Sequence, residues 1–328
     1  WKRDMSGCWA MHRPSWKAIG ATMWNRMRIQ DLIELSRNRY FLFRDKEKLT
    51  LPHLMAMVGA VPYPCANRYF EADSADGFAF LGCARQVLGM DTGYCREAIG
   101  KRAFTLNAEQ RIRATNIVVP ATNRYVYTIW PCVEFLHAMG EHETVGELMD
   151  VVEGIGTYEN GMVRYCSHEI DYVVPNVTSA CAMLYAISGR ADRAAPLVDI
   201  LRSRQIDGNW RYEIYSTGMP CGMEDSYHLA MMIYHLRQVQ AISGIRTSDL
   251  IEESMPRLQE LNSASLQPGS IGWGIPMVYI ASIGLDDRLS RKALHALMGM
   301  NGLRHHNFRV RAIAAWALVK GHAFRDAA

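Results

Sequence analysis

The chain has 328 residues, 49% of them hydrophobic and 21% charged, which is the balance of a soluble globular protein with an ample core. Its 36 Lys and Arg against 33 Asp and Glu leave a net charge of +3, and basic residues such as Arg26, Arg28, Arg37, Arg39 and Arg44 are scattered, so no electrostatic footprint for nucleic acid exists. No apolar run approaches the roughly 20 residues that span a bilayer, which removes a membrane span as well.

Residues 1–20, with Trp1, Trp9, Trp16 and Pro14, read as an irregular aromatic lead-in. A helix is predicted over 21–39, where Met23, Met27, Leu32 and Leu35 keep a period near 3.6. Another follows near 52–59, and a third from 74 to about 88 with Asp73 or Ser74 as N-cap. Helical patterning resumes after Gly89 through Gly100 and again around 108–114. No Ser/Gly/Pro-rich linker interrupts the chain, so 21–328 reads as a single domain.

The second half repeats one grammar: helix, helix, Gly-turn, aromatic strand. Helices are predicted near 123–139 and 143–154, then 177–188 and 191–204, then 225–242 and 248–261, then 277–283 and 288–298, with a last one near 307–319. Gly161, Gly208, Gly269 and Gly302 punctuate the pairs at uneven spacing, and Pro131, Pro196 and Pro256 blur helix boundaries. The second helix of a pair shows a one-sided stripe, as in Ala194, Leu197, Val198 and Leu201, whereas "VTSACAMLYAIS" and "HLAMMIYHL" are apolar nearly all round. Alternating half-exposed and enclosed helices fit two concentric layers, an all-α fold of the α/α toroid type; an open superhelix is the alternative.

The cysteines, Cys8, Cys65, Cys83, Cys95, Cys132, Cys166, Cys181 and Cys221, include no CxxC pair and several lie in apolar runs such as "FAFLGCARQVLGM". They read as buried reduced thiols. Nineteen methionines, easily oxidised when exposed, agree with a reducing interior and a cytoplasmic location; the chain starts at Trp1, which leaves a cleaved signal peptide open.

"RQIDGNWRYE" followed by "MEDSYHLAMMIYHL" resembles the Q-x-x-D-G-x-W turn and following inner helix of α/α-toroid proteins. These include the squalene/hopene cyclase and protein prenyltransferase group, and the toroid lyases, epimerases and uncharacterised proteins of bacterial polysaccharide loci. "HEIDYVVPNVTSACAMLYAISG" shows the same helix entrance one repeat earlier, and the resemblance covers roughly 120–320. It implies a toroid fold and says little about the reaction. The D-x-D-D acid of the terpene cyclases is missing from the nearest run, "EADSAD" (Glu71–Asp76). "GMEDSYHL" offers Asp225 and His228 but no D-x-C of the zinc prenyltransferases, and no cysteine is followed by histidine as lanthipeptide cyclases need. Carbohydrate chemistry is the activity least contradicted.

In a toroid the inner helices run in one direction. If Asn123, Asn176, Asp225 and Pro276 open inner helices, Glu169, Asp171, Tyr172, Glu224, Asp225, Tyr227, His228 and Trp273 gather around one mouth. Bland readings stand beside this one. Asp225 suits an N-cap, His235 the core, Trp210 and Trp273 packing in turns, and Asn176-Val177-Thr178 a cap more than a glycosylation site. His305-His306 lacks a third ligand at metal spacing.

Two enzymatic readings follow. In the first, the substrate is a uronate-containing saccharide: Tyr172 or Tyr227 exchanges the proton at C5, His228 is the partner base, and Asn176 or Arg211 neutralises the carboxylate. The product is an unsaturated sugar or the C5 epimer. In the second, one acid from Glu169/Asp171 and one from Glu224/Asp225 cleave a glycosidic bond, with Trp210 or Trp273 stacking on a sugar. A terpenoid-processing toroid would line its cavity with Tyr125, Tyr127, Trp130, Tyr185 and Tyr234, and a non-catalytic repeat protein would leave the acidic knot on an open surface. No phosphate loop, HExxH, GxSxG or GxGxxG occurs and no cofactor is expected; no metal site is assigned, a Ca²⁺ ion on the clustered carboxylates staying open although the ligand spacing of an EF-hand is absent.

Overall fold

Helices of two kinds alternate along the chain, and the difference in their apolar faces decides where each one sits. The structure, a computed structural model, describes residues 51–59, 61, 75–102, 126–166, 171–221, 225–265, 274–299 and 308–326. All belong to one compact unit, Leu49–Ala328. The lead-in at 1–20 and the helices predicted at 21–39 and 108–114 lie outside the described residues.

The described helices are α1 (Leu51–Gly59), α2 (Ala75–Val87), α3 (Gly93–Arg102), α4 (Val126–Ala138), α5 (His142–Ile155), α6 (Pro175–Ile187), α7 (Ala191–Arg204), α8 (Ser226–Ser243), α9 (Ser248–Ser265), α10 (Gly274–Ser282), α11 (Asp287–Gly299) and α12 (Phe308–Asp326). A hairpin of β1 (Glu213–Ile214) and β2 (Met219–Pro220) stands between α7 and α8. Pro131, Pro196 and Pro256 lie inside α4, α7 and α9, which continue through them.

On α7 only Ala194, Leu197, Val198 and Leu201 are fully buried, so one stripe packs and the rest is exposed or half-buried. On α6 every residue except Tyr185 is buried, which needs neighbours on all sides. The packing supplies them. α2, α4, α6, α8, α10 and α12 each pack on the next, and α12 packs back on α2. The inner layer therefore closes, and the open superhelix is excluded. α3, α5, α7, α9 and α11 each cover the inner helix before them, while α1 packs on both α12 and α2 and takes the sixth outer position. The protein is an α/α toroid.

Its axis is filled. Trp130 of α4 meets Tyr234 and His235 of α8 at ring separations of 6.0 and 5.0 Å, and Trp316 of α12 at 6.1 Å. Phe80 of α2 packs on both tryptophans at 5.3 and 5.0 Å. α6 separates α4 from α8 around the ring, so these contacts cross the lumen. Trp130 and Tyr234, expected to line an open aromatic cavity, instead form a packed plug with almost no exposure. Beside the plug, the Glu134 carboxylate accepts the Tyr234 hydroxyl at 3.0 Å and pairs with Lys320 at 2.7 Å. Burial works to lower the Lys320 pKa, but Glu134 beside it wins and raises it.

The "QIDGNW" turn locks neighbouring repeats together. Asp207 (φ 51°) and Gly208 (φ 72°) form a two-residue turn of the I′ kind between the paired residues Ile206 and Asn209. A Cβ on Gly208 would stand 2.1 Å from the Glu253 carbonyl oxygen of α9, so glycine is required by space as well as by φ. Gln205 Nε2 donates to Leu250 O and Ser254 Oγ of α9, both at 2.9 Å, and Trp210 Nε1 donates to Leu201 O of α7 at 2.7 Å. The motif behind the resemblance thus fastens α7 to α9. Of the six described cysteines, five are buried and Cys221 is half-buried. No described helix is long and apolar enough to cross a membrane.

Candidate active site

The start of α8 is built by Asp225. Its backbone is extended, and its Oδ1 accepts the His228 backbone N–H at 2.8 Å, a side-chain N-cap. The same cap geometry brings the His228 ring back over the carboxylate, with Nδ1 2.5 Å from Oδ2. Burial alone would raise the Asp225 pKa; the hydrogen bonds and charge of His228 outweigh it and hold the carboxyl below its usual range. An ionised carboxylate only accepts, so Nδ1 carries the proton, and in the neutral ring Nε2 is left with a lone pair. The cap that starts the helix therefore also orients an imidazole.

Aromatic rings surround that imidazole. Tyr227 meets it edge-on at 4.9 Å and Tyr212 at 5.5 Å. Tyr212 in turn stacks on Tyr172 at 6.0 Å; burial raises the pKa of Tyr172 and of Cys221. The Tyr212 hydroxyl is buried with no hydrogen-bond partner. Its pKa stands well above the ordinary phenol value, chiefly through burial and then through the charge of Asp225. A buried hydroxyl left unpaired costs about 1–3 kcal/mol. Tyr212, Asp225 and His228 share a small recess with the apolar side chains of Pro175, Trp210, Leu229 and Met232, with a cavity volume of about 10 Å³, room for one water.

The α6 and α8 entrances are therefore together, bridged by Tyr212. A bridge between Val173 and Glu213 fixes this, by tying the segment before α6 to β1. Other inner helices also begin side by side. A Cβ on Gly274, the first residue of α10, would lie 3.8 Å from Tyr227 Cβ, and an Asp76–Arg309 ion pair joins the first turns of α2 and α12.

The remaining sequence candidates divide. Asp171 is exposed and turned to the hairpin loop, accepting the Ser216 backbone N–H at 2.6 Å and the Ser216 hydroxyl. Asn176 is 4% exposed and its Nδ2 faces Met231 Sδ at 3.6 Å. The N-cap of α6 is Val174 with Pro175 after it, so Asn176 neither caps the helix nor offers its amide to glycosylation in the folded chain. Arg211 is exposed; Trp210 is 2% exposed and packs in the turn, its edge reaching the recess. Glu169, Glu224, Trp273 and the His305-His306 pair lie outside the described residues. Among the described residues no three His, Cys, Asp or Glu side chains are placed to hold a metal ion.

Sequence reasoning missed Tyr212 and Cys221. The signal for Tyr212 was present: it stands two residues after Trp210 in an extended segment, where alternate side chains share a face.

No family model matches the chain, and no curated protein matches it. Solved structures do resemble it. A crystal structure of D-mannose isomerase is 10% identical with a TM-score of 0.54, the match covering 80% of this chain and 89% of that one. A family 76 glycoside hydrolase from a bovine Bacteroides thetaiotaomicron strain is 11% identical with a TM-score of 0.56, covering 85% of this chain and 77% of its own. At such identities the likeness is one of fold.

Proposed function

We propose that this protein is a carbohydrate-active enzyme that moves a proton on a saccharide, with His228 as the acid/base and Asp225 as its orienting partner. The observation that carries this reading is the 2.5 Å contact of Asp225 Oδ2 with His228 Nδ1 at the mouth of the recess. In it, Nε2 takes a proton from the carbon beside a sugar carbonyl or carboxyl group, and the bonding pair moves onto that group's oxygen. The imidazolium formed is stabilised by the adjacent carboxylate. Return of the proton to the neighbouring carbon gives an isomer and loss of a β-substituent an unsaturated sugar; an epimer needs a second proton donor on the opposite face, a role for the Tyr172 or Tyr227 hydroxyl.

The likeness of fold to a mannose isomerase and a glycoside hydrolase supports a saccharide as substrate. A paired-carboxylate hydrolase draws less from the geometry, because Asp171 is engaged by Ser216 and Asp225 by His228. That reading rests on Glu169 and Glu224.

The test is proton exchange. The protein is incubated in D₂O with a panel of reducing sugars, uronates and oligosaccharides, and deuterium uptake is followed by mass spectrometry. Deuterium should enter at one carbon, and His228→Gln should slow it by about 10²-fold or more. No uptake from any sugar, or equal uptake by the variant, removes the proposal.

A further inference from the structure

The reaction above uses Asp225 and His228 and leaves the Tyr212 hydroxyl idle. Nε2 of His235 and Nε1 of Trp316 also lack hydrogen bonds, but they are sealed in the packed axis. Tyr212 differs, because it lines a recess that holds both charge and space. Asp225 lines the same recess and its charge acts on the Tyr212 phenol, yet no direct bond joins the two. Polar groups that share a small space without touching are commonly bridged by water.

We infer that the recess binds one ordered water, which accepts from the Tyr212 hydroxyl and donates to the Asp225 carboxylate, so that Tyr212 acts through Asp225 as a positioning residue for His228. The water rests on the recess alone; the positioning role rests on the proton-transfer reading. Size sets the occupant: about 10 Å³ admits a single water and nothing larger. The walls formed by Trp210, Leu229 and Met232 are 2–3% exposed and apolar, so they offer the water no bonds. Its partners come from Tyr212, Asp225, His228 and Asn209, within the two to four that a buried water needs. The direction of the chain follows from chemistry. Burial, then Asp225, then Tyr172 and Tyr227 push the Tyr212 pKa well up, so the phenol keeps its proton and donates. The ionised carboxylate only accepts, and each of its oxygens has a lone pair beyond the one facing His228. Asn209 Oδ1, which accepts the Trp210 N–H at 2.8 Å, has a lone pair left for the second hydrogen of the water. Tyr212 is itself fixed, its carbonyl accepting the Cys221 N–H at 2.8 Å and its ring stacked on Tyr172. A donor held against the carboxylate favours its charged form, the form that faces Nδ1.

The experiment compares the wild type with Tyr212→Phe, which removes one oxygen and keeps the ring. A crystal structure of the wild type should show one water within about 2.5–3.0 Å of both Tyr212 Oη and an Asp225 carboxylate oxygen. Tyr212→Phe should melt below the wild type, because it breaks a bond that exists; deleting a hydroxyl bonded to nothing would leave the melting temperature level or higher. Followed by carbon NMR, the Asp225 carboxyl should titrate higher in the variant, since its charged form loses a donor. In the deuterium-exchange assay kcat should fall about threefold or more at unchanged KM. No water at that point in the wild type, or a variant that melts at or above it, overturns the water. A water present with unchanged Asp225 titration and unchanged kcat overturns the positioning role. The crystal structure, melting and titration need no substrate. Absence of exchange from any sugar would therefore sink the proposed reaction alone, and the Asp225 titration would decide whether Tyr212 acts on the pair.

Discussion

His228 stands on the first turn of α8 with Nδ1 on Asp225 and its ring at the mouth of the recess; His235, two turns further along the same face, meets Ser179 Oγ at 3.0 Å and the Trp130 ring, with no exposed surface. One residue type on one helix is thus placed in two chemistries. At the rim the Asp225 carboxylate faces Nδ1 and the ring is partly exposed. At the axis desolvation alone pushes the His235 pKa down to about 3, so the ring is neutral and its work is packing. The helix entrances, where caps and loops supply polar partners, thus differ from the axis, whose buried rings pack on one another.

Truncation separates the two most sharply. His235→Ala removes a buried ring from between Ser179, Trp130 and Tyr234 and leaves the Ser179 hydroxyl one partner short. It should cost about 3 kcal/mol in chemical denaturation. His228→Ala removes a half-exposed ring and keeps the Asp225 cap, which bonds the backbone N–H, so it should cost less than about 1 kcal/mol. Equal losses would mean that the rim histidine is as structural as the axial one.

Acid is the second probe. The folded His235 pKa of about 3 lies below the ordinary 6.5 of the unfolded chain. Between those values the unfolded state binds one more proton, so stability is full above about pH 6.5 and is lost as pH falls, by about 1.4 kcal/mol per unit. Asp225 works in another window. Its carboxyl is depressed below the usual 3.8, so its contribution is intact above that value and is lost only in stronger acid. Denaturation curves from pH 7 to 5 should therefore slope more steeply in the wild type than in His235→Gln. Coincident slopes would show that the axis admits the proton.

How much of this was legible beforehand follows from the same contrast. The stripe of Ala194, Leu197, Val198 and Leu201, set against the all-round apolar α6, gave the two layers, because enclosure leaves a periodic mark in sequence. Asp225 and His228 were legible because capping chemistry has a short, local spacing. Asn176 was not, because its surroundings are set by Met231 on another helix. Nor was the filled axis, which joins Phe80, Trp130, Tyr234 and Trp316 from four helices that no spacing connects. The role of the "QIDGNW" turn was hidden for the same reason: Gly208 is forced by a carbonyl on α9 that follows it by a full helix.

Asp225→Asn tests the finest distinction at the rim, between holding a helix and holding an imidazole. Asparagine is as good an N-cap as aspartate, so the bond from the His228 N–H survives and the melting temperature should barely move. The charge facing Nδ1 does not survive, and an amide can accept from the ring but cannot stabilise the imidazolium. A hydrogen bond to a charged partner is worth about 1.5–3 kcal/mol, so the exchange rate should fall by about tenfold or more while stability holds. Asp225→Ala loses both functions and should add about 1 kcal/mol of destabilisation to a similar loss of rate. Full activity in the asparagine variant would reduce Asp225 to a cap, and His228 would then need its orientation from the rings it meets, such as those of Tyr212 and Tyr227.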